Sequence, residues 1–464
     1  MKLNILDFGA VGDGKTLNTY AFAKACEIAA NAPDGGTVII VPPGTFVSGT
    51  IDLPSNTTLH LELGATLKAS ENDKDFKANP FIYPFNPELR PKGQFRGLPL
   101  YFIGATNQHD VIIDGDGTID GTGHVFWEDV CFDNKPWVPN SPDYPVHYRV
   151  LRPKAKRPVV ISFWKCERVT VRNVRIIDAS AYTVWPQGCK EVRIQDITIR
   201  NLVQGPNTDA LDIDCSENVI ISGCDIAAGD DCIALKSDTT RIGENLPCRN
   251  IAVSNCILAS TACGVRIGYE GDGDITDCAF SNLVIYNTKS AIDMLSLTPI
   301  PRPDFKKGTT IERVQFTNVS MRNVACAFHI WCGTEKNDQP YTSHVRDLTF
   351  SDINAVTRCG AFIGSKDGAA IKNVSLRNVR IRRDEHPYYA DKDHPDYPGV
   401  WASNHLPDVL WVHRIENLHM DGVDLESEYV ANPTAGGNLL RWSSIGRFIM
   451  DNQQMPADGS IPLA

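Results

Sequence analysis

Arg168–Ile176 reads RVTVRNVRI, Glu191–Ile199 reads EVRIQDITI and Asn218–Ile226 reads NVIISGCDI. Each is a short strand of alternating apolar and polar residues, a corner of Asn, Asp or Gly, and a second short strand. The same grammar returns as NIAVSNCIL from Asn250, DCAFSNLVI from Asp277, RVQFTNVSM from Arg313, DLTFSDINA from Asp347, NVSLRNVRI from Asn373 and NLHMDGVDL from Asn417. DVIIDGDGTI from Asp110 is an earlier member. The second residue of each unit sets a register at 169, 192, 219, 251, 278, 314, 348, 374 and 418. A step of 23 residues, the shortest, is one bare coil, and longer steps carry loops. Strands of one pattern at coil spacing, without hairpin turns, predict an all-β chain wound as a right-handed parallel β-helix. A β-propeller would need units of about 40–50 residues with four strands each, and these are too short. One amphipathic helix is expected over Thr16–Ala32. The expected organisation is a single domain, 1–464, with an N-terminal helical cap over about residues 1–35. Pro-rich, aromatic segments at about 70–100 and 128–158 read as long excursions from the coil.

Composition removes several functions. The 464 residues carry 45 Lys plus Arg against 56 Asp plus Glu, a formal charge of −11. A net acidic chain is poorly suited to phosphate backbones, so nucleic acid is not an expected partner. No apolar run reaches the roughly 18 residues of a membrane span. Met1–Gly9, MKLNILDFG, is too short and too quickly polar for a signal-peptide core. The expected location is cytoplasmic, or secreted or periplasmic if a leader has been removed. Many of the 14 cysteines, among them Cys166, Cys189, Cys215, Cys224, Cys232, Cys256 and Cys278, sit in apolar strand-like runs and are expected as reduced core thiols. There is no paired C-x-x-C, H-E-x-x-H or P-loop, so no metal or cofactor is expected.

The densest polar chemistry is Asn207-Thr208-Asp209-Ala210-Leu211-Asp212-Ile213-Asp214, followed by Gly229-Asp230-Asp231-Cys232. Equivalent positions on neighbouring coils lie roughly 4.8 Å apart. Asp209 and Asp230 are 21 residues apart, about one bare coil, which stacks Asp209, Asp230 and Asp231 on one face. Like charges that close raise at least one pKa, leaving a protonated acid beside an ionised base, the equipment for cleaving a glycosidic bond. Turn-forming aspartates and a calcium site are the competing readings of the same residues.

At these residues the chain resembles glycoside hydrolase family 28, the polygalacturonase-like enzymes. NTDALDID resembles the family's N-T-D-G-[IF]-D, and GDDCIALKS its G-D-D-C-[IV]-A-[IL]-K-S. Upstream, DFGAVGDGKTLNTYAFAKACE, GGTVIIVPPGTFVSGTIDLPSNTTLHLELGATLKAS and IDGTGHVFW are similar to the cap and first coils of the bacterial branch. The resemblance implies a pectin-lyase-like solenoid that hydrolyses with inversion. It implies Asp230 as general acid, and Asp209 and Asp231 as the pair that holds and deprotonates water. Inversion implies roughly 6.5–9.5 Å between acid and base.

Two family signatures are missing. The G-H-G should fall at Thr261-Ala262-Cys263-Gly264, where Ala262 or Cys263 takes the place of the His. The R-I-K should fall near Ile292-Asp293-Met294-Leu295, with Asp293 for the Arg and Leu295 for the Lys. Those basic residues bind the galacturonate carboxylate in the family, so their loss implies a glycan other than plain homogalacturonan. Arg266, Asp293 and His329 share an offset on successive coils. An Arg266–Asp293 pair would grip sugar hydroxyls or be a surface salt bridge. Asn207, Lys236 and Tyr269 complete the expected substrate-binding set. Tyr182, Trp185 and Trp331 are candidates for stacking on sugar rings or for packing, and His124 and His147 for shaping one end of the groove. The expected activity is a cofactor-free glycoside hydrolase on an oligosaccharide or polysaccharide, acting from a chain end. A lyase or epimerase on the same fold, or a glycan-binding solenoid without activity, are the alternatives.

Overall fold

The computed structural model describes residues 1–32, 36–78, 100–129, 151–154, 156–298, 307–334, 341–366, 369, 371–384, 408–428 and 437–463. Three ladders of parallel strands stack along one axis, giving a right-handed parallel β-helix. The first ladder holds the opening strand of each sequence unit. Its register runs Val111↔Val169, Val169↔Val192, Val192↔Val219, Val219↔Ile251, Ile251↔Cys278, Cys278↔Val314, Val314↔Leu348, Leu348↔Val374 and Val374↔Leu418. These pairings reproduce every position of the sequence-derived register. From Val169 to Leu418 all nine are 2% exposed or less. Each such side chain contributes about 1.5–3 kcal/mol by leaving water, and Phe280, Phe316 and Phe350 stack down the same core at 4.3 and 5.8 Å.

The second ladder holds the closing strand of each unit, for example Arg175–Ile177 on Thr198–Arg200 and that on Asp225–Ala228. Between the two strands the corner residue sits in the left-handed region, at φ 57° for Asn255, 55° for Asn282 and 53° for Asn318. Asn tolerates that conformation better than most residues, and its amide remains available. Asn282 Nδ2 donates to Asn255 Oδ1 at 3.0 Å, and Asn318 Nδ2 to Asn282 Oδ1 at 2.8 Å. The corners thus form an amide ladder down the outside.

The third ladder was not legible as a strand series. It includes Pro158–Trp164, Val184–Gln187, Leu211–Asp214, Ile233–Ser237, Cys263–Gly271 and Ala361–Ser365. Both faces of these strands are buried, so the period-two alternation that marks the other ladders is absent. Asp209, Asp230, Asp231, Lys236, Arg266, Asp293 and His329 lie on or beside this ladder.

The cap helix spans Thr19–Ala30, shorter than Thr16–Ala32. Thr16 and Leu17 instead end a strand, Asp13–Leu17, that pairs with Gly44–Ser48. Asn18 Nδ2 ties the junction to the Val47 carbonyl at 3.2 Å. Residues 79–99 and 130–150, most of the two excursions and His147 with them, lie outside the described residues. The described cysteines are all free and buried. Among the described residues no helix is long and apolar enough to cross a membrane.

Candidate active site

Asp209 stands just before the strand Leu211–Asp214, and Asp230 and Asp231 just before Ile233–Ser237 on the next coil. The coils are locked there by Ala210 N donating to Asp231 O at 2.8 Å and Cys232 N to Cys263 O at 2.8 Å. One oxygen from each of the three carboxylates lies within 4.8 Å of the other two. Asp209, Asp230 and Asp231 are 3%, 8% and 6% exposed, so Asp230 is the most accessible. Asp209 and the Asp230–Asp231 pair stand on adjacent coils, which lie about 4.8 Å apart. Burial, reinforced by repulsion from Asp212 and Asp230, pushes Asp209 well above the usual carboxylate range. Burial also pushes Asp231 up to about 6, against the pull of Arg266. The cluster therefore keeps a proton at a pH where isolated aspartates have none. It is also the one group of Asp, Glu, His or Cys among the described residues tight enough to share a metal ion.

Positive charge reaches the cluster from both sides. Lys236, 2% exposed, lies next along the strand. Its Nζ is 2.7 Å from Asp212 Oδ1, 2.8 Å from Glu270 Oε2 and 3.5 Å from Asp209 Oδ2. The same ammonium is 3.3 Å from Tyr182 Oη and sits 4.3 Å from that ring's centroid. Burial works against the charge, but Asp212 and Glu270 outweigh it and hold Lys236 well above the usual lysine range.

On the other side the outward positions of the third ladder form a row. Ala234 pairs with Arg266, Arg266 with Asp293, and Asp293 with His329. Arg266 Nε is 3.4 Å from Asp231 Oδ2, Nη1 is 3.3 Å from Asp293 Oδ1, and Nη2 donates to Cys263 Sγ at 3.0 Å. Asp293 Oδ2 is 2.9 Å from His329 Nδ1. Asp293 and His329 are 0% and 1% exposed, so the Arg266–Asp293 pair is an interior pair and not a surface one. Burial opposes ionisation of Asp293, yet Arg266 and His329 hold it below the usual carboxylate range.

The remaining candidates divide. Asn207 Nδ2 donates to Asp230 Oδ2 at 3.4 Å, and its own Oδ1 accepts from Arg157 Nη2 at 3.0 Å. Tyr269 lies against Arg266, whose guanidinium carbon is 5.3 Å from the ring centroid. Trp185 is 2% exposed, packed edge-on to Tyr182 and beneath Arg241. Trp331 contacts Phe362 at 5.0 Å between centroids, two coils past Arg266. His124 is bound to Asp178.

Sequence reasoning did not assign Arg157, Asp212 and Glu270. Asp212 was visible as the last acid of the NTDALD motif. Glu270 had only Gly268 and Gly271 as a signal. The register slips between Leu235 and Ser237, which pair with Ile267 and Gly271. Gly268, Tyr269 and Gly271 take φ of 84°, 70° and 121°. That bulge swings Glu270 onto Lys236.

The sequence model described as "Glycosyl hydrolases family 28" matches residues 37–391. The chain is similar to a protein of Vitis vinifera named "Probable polygalacturonase", with 30% identity over 331 residues, covering 70% of this chain and 62% of that one. It thus spans under two thirds of that relative's length. An "Endo-polygalacturonase" of Pectobacterium carotovorum subsp. carotovorum is 26% identical over 370 residues, covering 80% of this chain and 83% of that one. Among solved structures, the Yersinia enterocolitica family 28 exopolygalacturonase superposes with a TM-score of 0.68 at 17% identity, over 98% of this chain and 79% of that one. That likeness shows the fold. A cytoplasmic location finds no support in these comparisons.

Proposed function

The chain belongs to glycosyl hydrolases family 28, and from that premise we propose that it hydrolyses a glycosidic bond in a pectin-related glycan with water as the nucleophile. Asp230 is the general acid that protonates the leaving oxygen. Asp209 and Asp231 hold the water and take its proton, and the anomeric centre inverts. No metal or cofactor enters the reaction. The observation that carries this reading is the meeting of three carboxylate oxygens within 4.8 Å. Asp231, raised to about 6, is a stronger base than an exposed aspartate and is still ionised at neutral pH.

The glycan differs from plain homogalacturonan at the subsite next to the acids, and the enzyme works from a chain end. Asp293 stands where the family carries a basic residue, and Arg266 is already engaged by Asp231 and Asp293. A substrate carboxylate there would meet negative charge. End-wise action rests on the two long excursions in the sequence. The test is Asp230→Asn assayed on defined oligosaccharides. Turnover is expected to vanish while far-UV circular dichroism is unchanged, and wild-type products are expected to be monosaccharides with inverted anomers by proton NMR. Near-wild-type turnover in Asp230→Asn overturns the acid assignment, and retained anomers overturn the water geometry.

A further inference from the structure

We propose that Arg266 is a positioning residue for Asp231, braced from behind by Asp293 and His329 in a three-coil device. The inference rests on the role given to Asp231 above. It starts from the register. Arg266 lies opposite Ala234 on the preceding coil and Asp293 on the following one. The methyl side chain of Ala234 leaves the space through which a guanidinium can lean back one coil. Leaning back brings Nε to 3.4 Å from Asp231 Oδ2. The group is then held at its other edge by Asp293 Oδ1 at 3.3 Å and by Cys263 Sγ at 3.0 Å. Asp293 is in turn fixed by His329 at 2.9 Å.

The planar fork suits this task, because one guanidinium can meet two carboxylates on opposite sides at fixed geometry, which a lysine ammonium cannot. An interior Asp beside an interior Arg has no solvent to compete for its orientation, so the Asp231 carboxylate is fixed before substrate arrives. The charged and titratable groups facing Asp231 are Asp209, Asp212, Asp230, Cys232, Lys236, Cys263 and Arg266. Those facing Asp293 are Arg266, His329, Lys289, Cys263 and Cys326. Among the neighbours of Asp231, Arg266 is the strongest influence favouring its ionised form.

The experiment is the pH dependence of kcat/KM in Arg266→Gln and Arg266→Lys. Arg266→Gln is expected to lose about 100-fold in kcat through misplacement of the base, with KM little changed, and to move the acid limb of the profile to higher pH. Arg266→Lys keeps a charge beside Asp231 but cannot span to Asp293. It is expected to fold, to keep the acid limb in place and to lose kcat, which preserves the test if the Gln variant does not fold. An acid limb in Arg266→Gln that coincides with wild type, or a kcat in Arg266→Lys equal to wild type, overturns the inference. Asp231→Asn separates the layers. If it is inactive while the Arg266 variants behave as wild type, only the positioning role falls. If it is active, the reading of Asp231 as a base falls first.

Discussion

Lys236 Nζ lies 2.7 Å from Asp212 Oδ1 at a point where their side chains are 3% and 0% exposed. Neither charge was taken out of water for its own stabilisation alone, because interior ion pairs rarely recover their desolvation cost. The pair stands between Asp209 and the bulge that carries Glu270, and it holds the back of the acid cluster in one arrangement. Removing one member leaves the others uncompensated. Lys236→Met is therefore expected to lose about 3–5 kcal/mol of unfolding free energy at neutral pH, read by urea titration. A loss under about 1 kcal/mol would show the cluster to be hydrated.

Acidity should relieve that variant. Burial raises Asp212 to about 7 even with Lys236 beside it, while an unfolded Asp titrates near about 3.9. Between those values the native state binds a proton that the unfolded state does not, so this group's contribution to stability is present at low pH and lost as pH rises through about 7. The Lys236→Met defect is expected to shrink between pH 7.5 and about 5. A defect that grows on acidification would contradict the assignment.

Activity has the opposite sign on the acid side. Asp231 must be ionised to accept a proton from water, and it titrates at about 6. The wild-type kcat/KM is expected to fall about tenfold per pH unit below that value. A flat profile down to pH about 4 would remove Asp231 from the base role.

Asn207 combines two demands. It sits at φ 53° and donates to Asp230 Oδ2 at 3.4 Å. Asn207→Ala is expected to cost about 1–2 kcal/mol in stability and about tenfold in kcat. Asn207→Gly should restore most of the stability and none of the rate. Equal rates in the two variants and wild type would confine Asn207 to the turn.

The amide ladder offers a test away from the site. Asn282 both donates to Asn255 and accepts from Asn318, at φ 55°. Asn282→Ala is expected to lower stability by about 2 kcal/mol, from two lost bonds and a strained corner, with kcat/KM unchanged. Thermal unfolding followed by circular dichroism reads the loss directly.

Much of this could be read from the chain alone, and the reasons differ by residue. Val169, Val192 and Val219 stand in strands with one wet face, so alternation and spacing gave their register. The strands carrying Asp212, Lys236 and Arg266 are covered on both faces and show no alternation, so only their acidic motifs drew attention. Asp293 and His329 could be aligned by counting, but counting does not tell an interior position from a rim one. Glu270 depended on a two-residue slip in strand pairing, which Gly268 and Gly271 permit but do not announce.

The outward row, one residue per turn, has a consequence for the groove. A long side chain on one turn can deliver its head group to the turn before it, provided the intervening position is small, as Ala234 is. The head group of a residue on one rung can thus serve an acid carried by the rung before it.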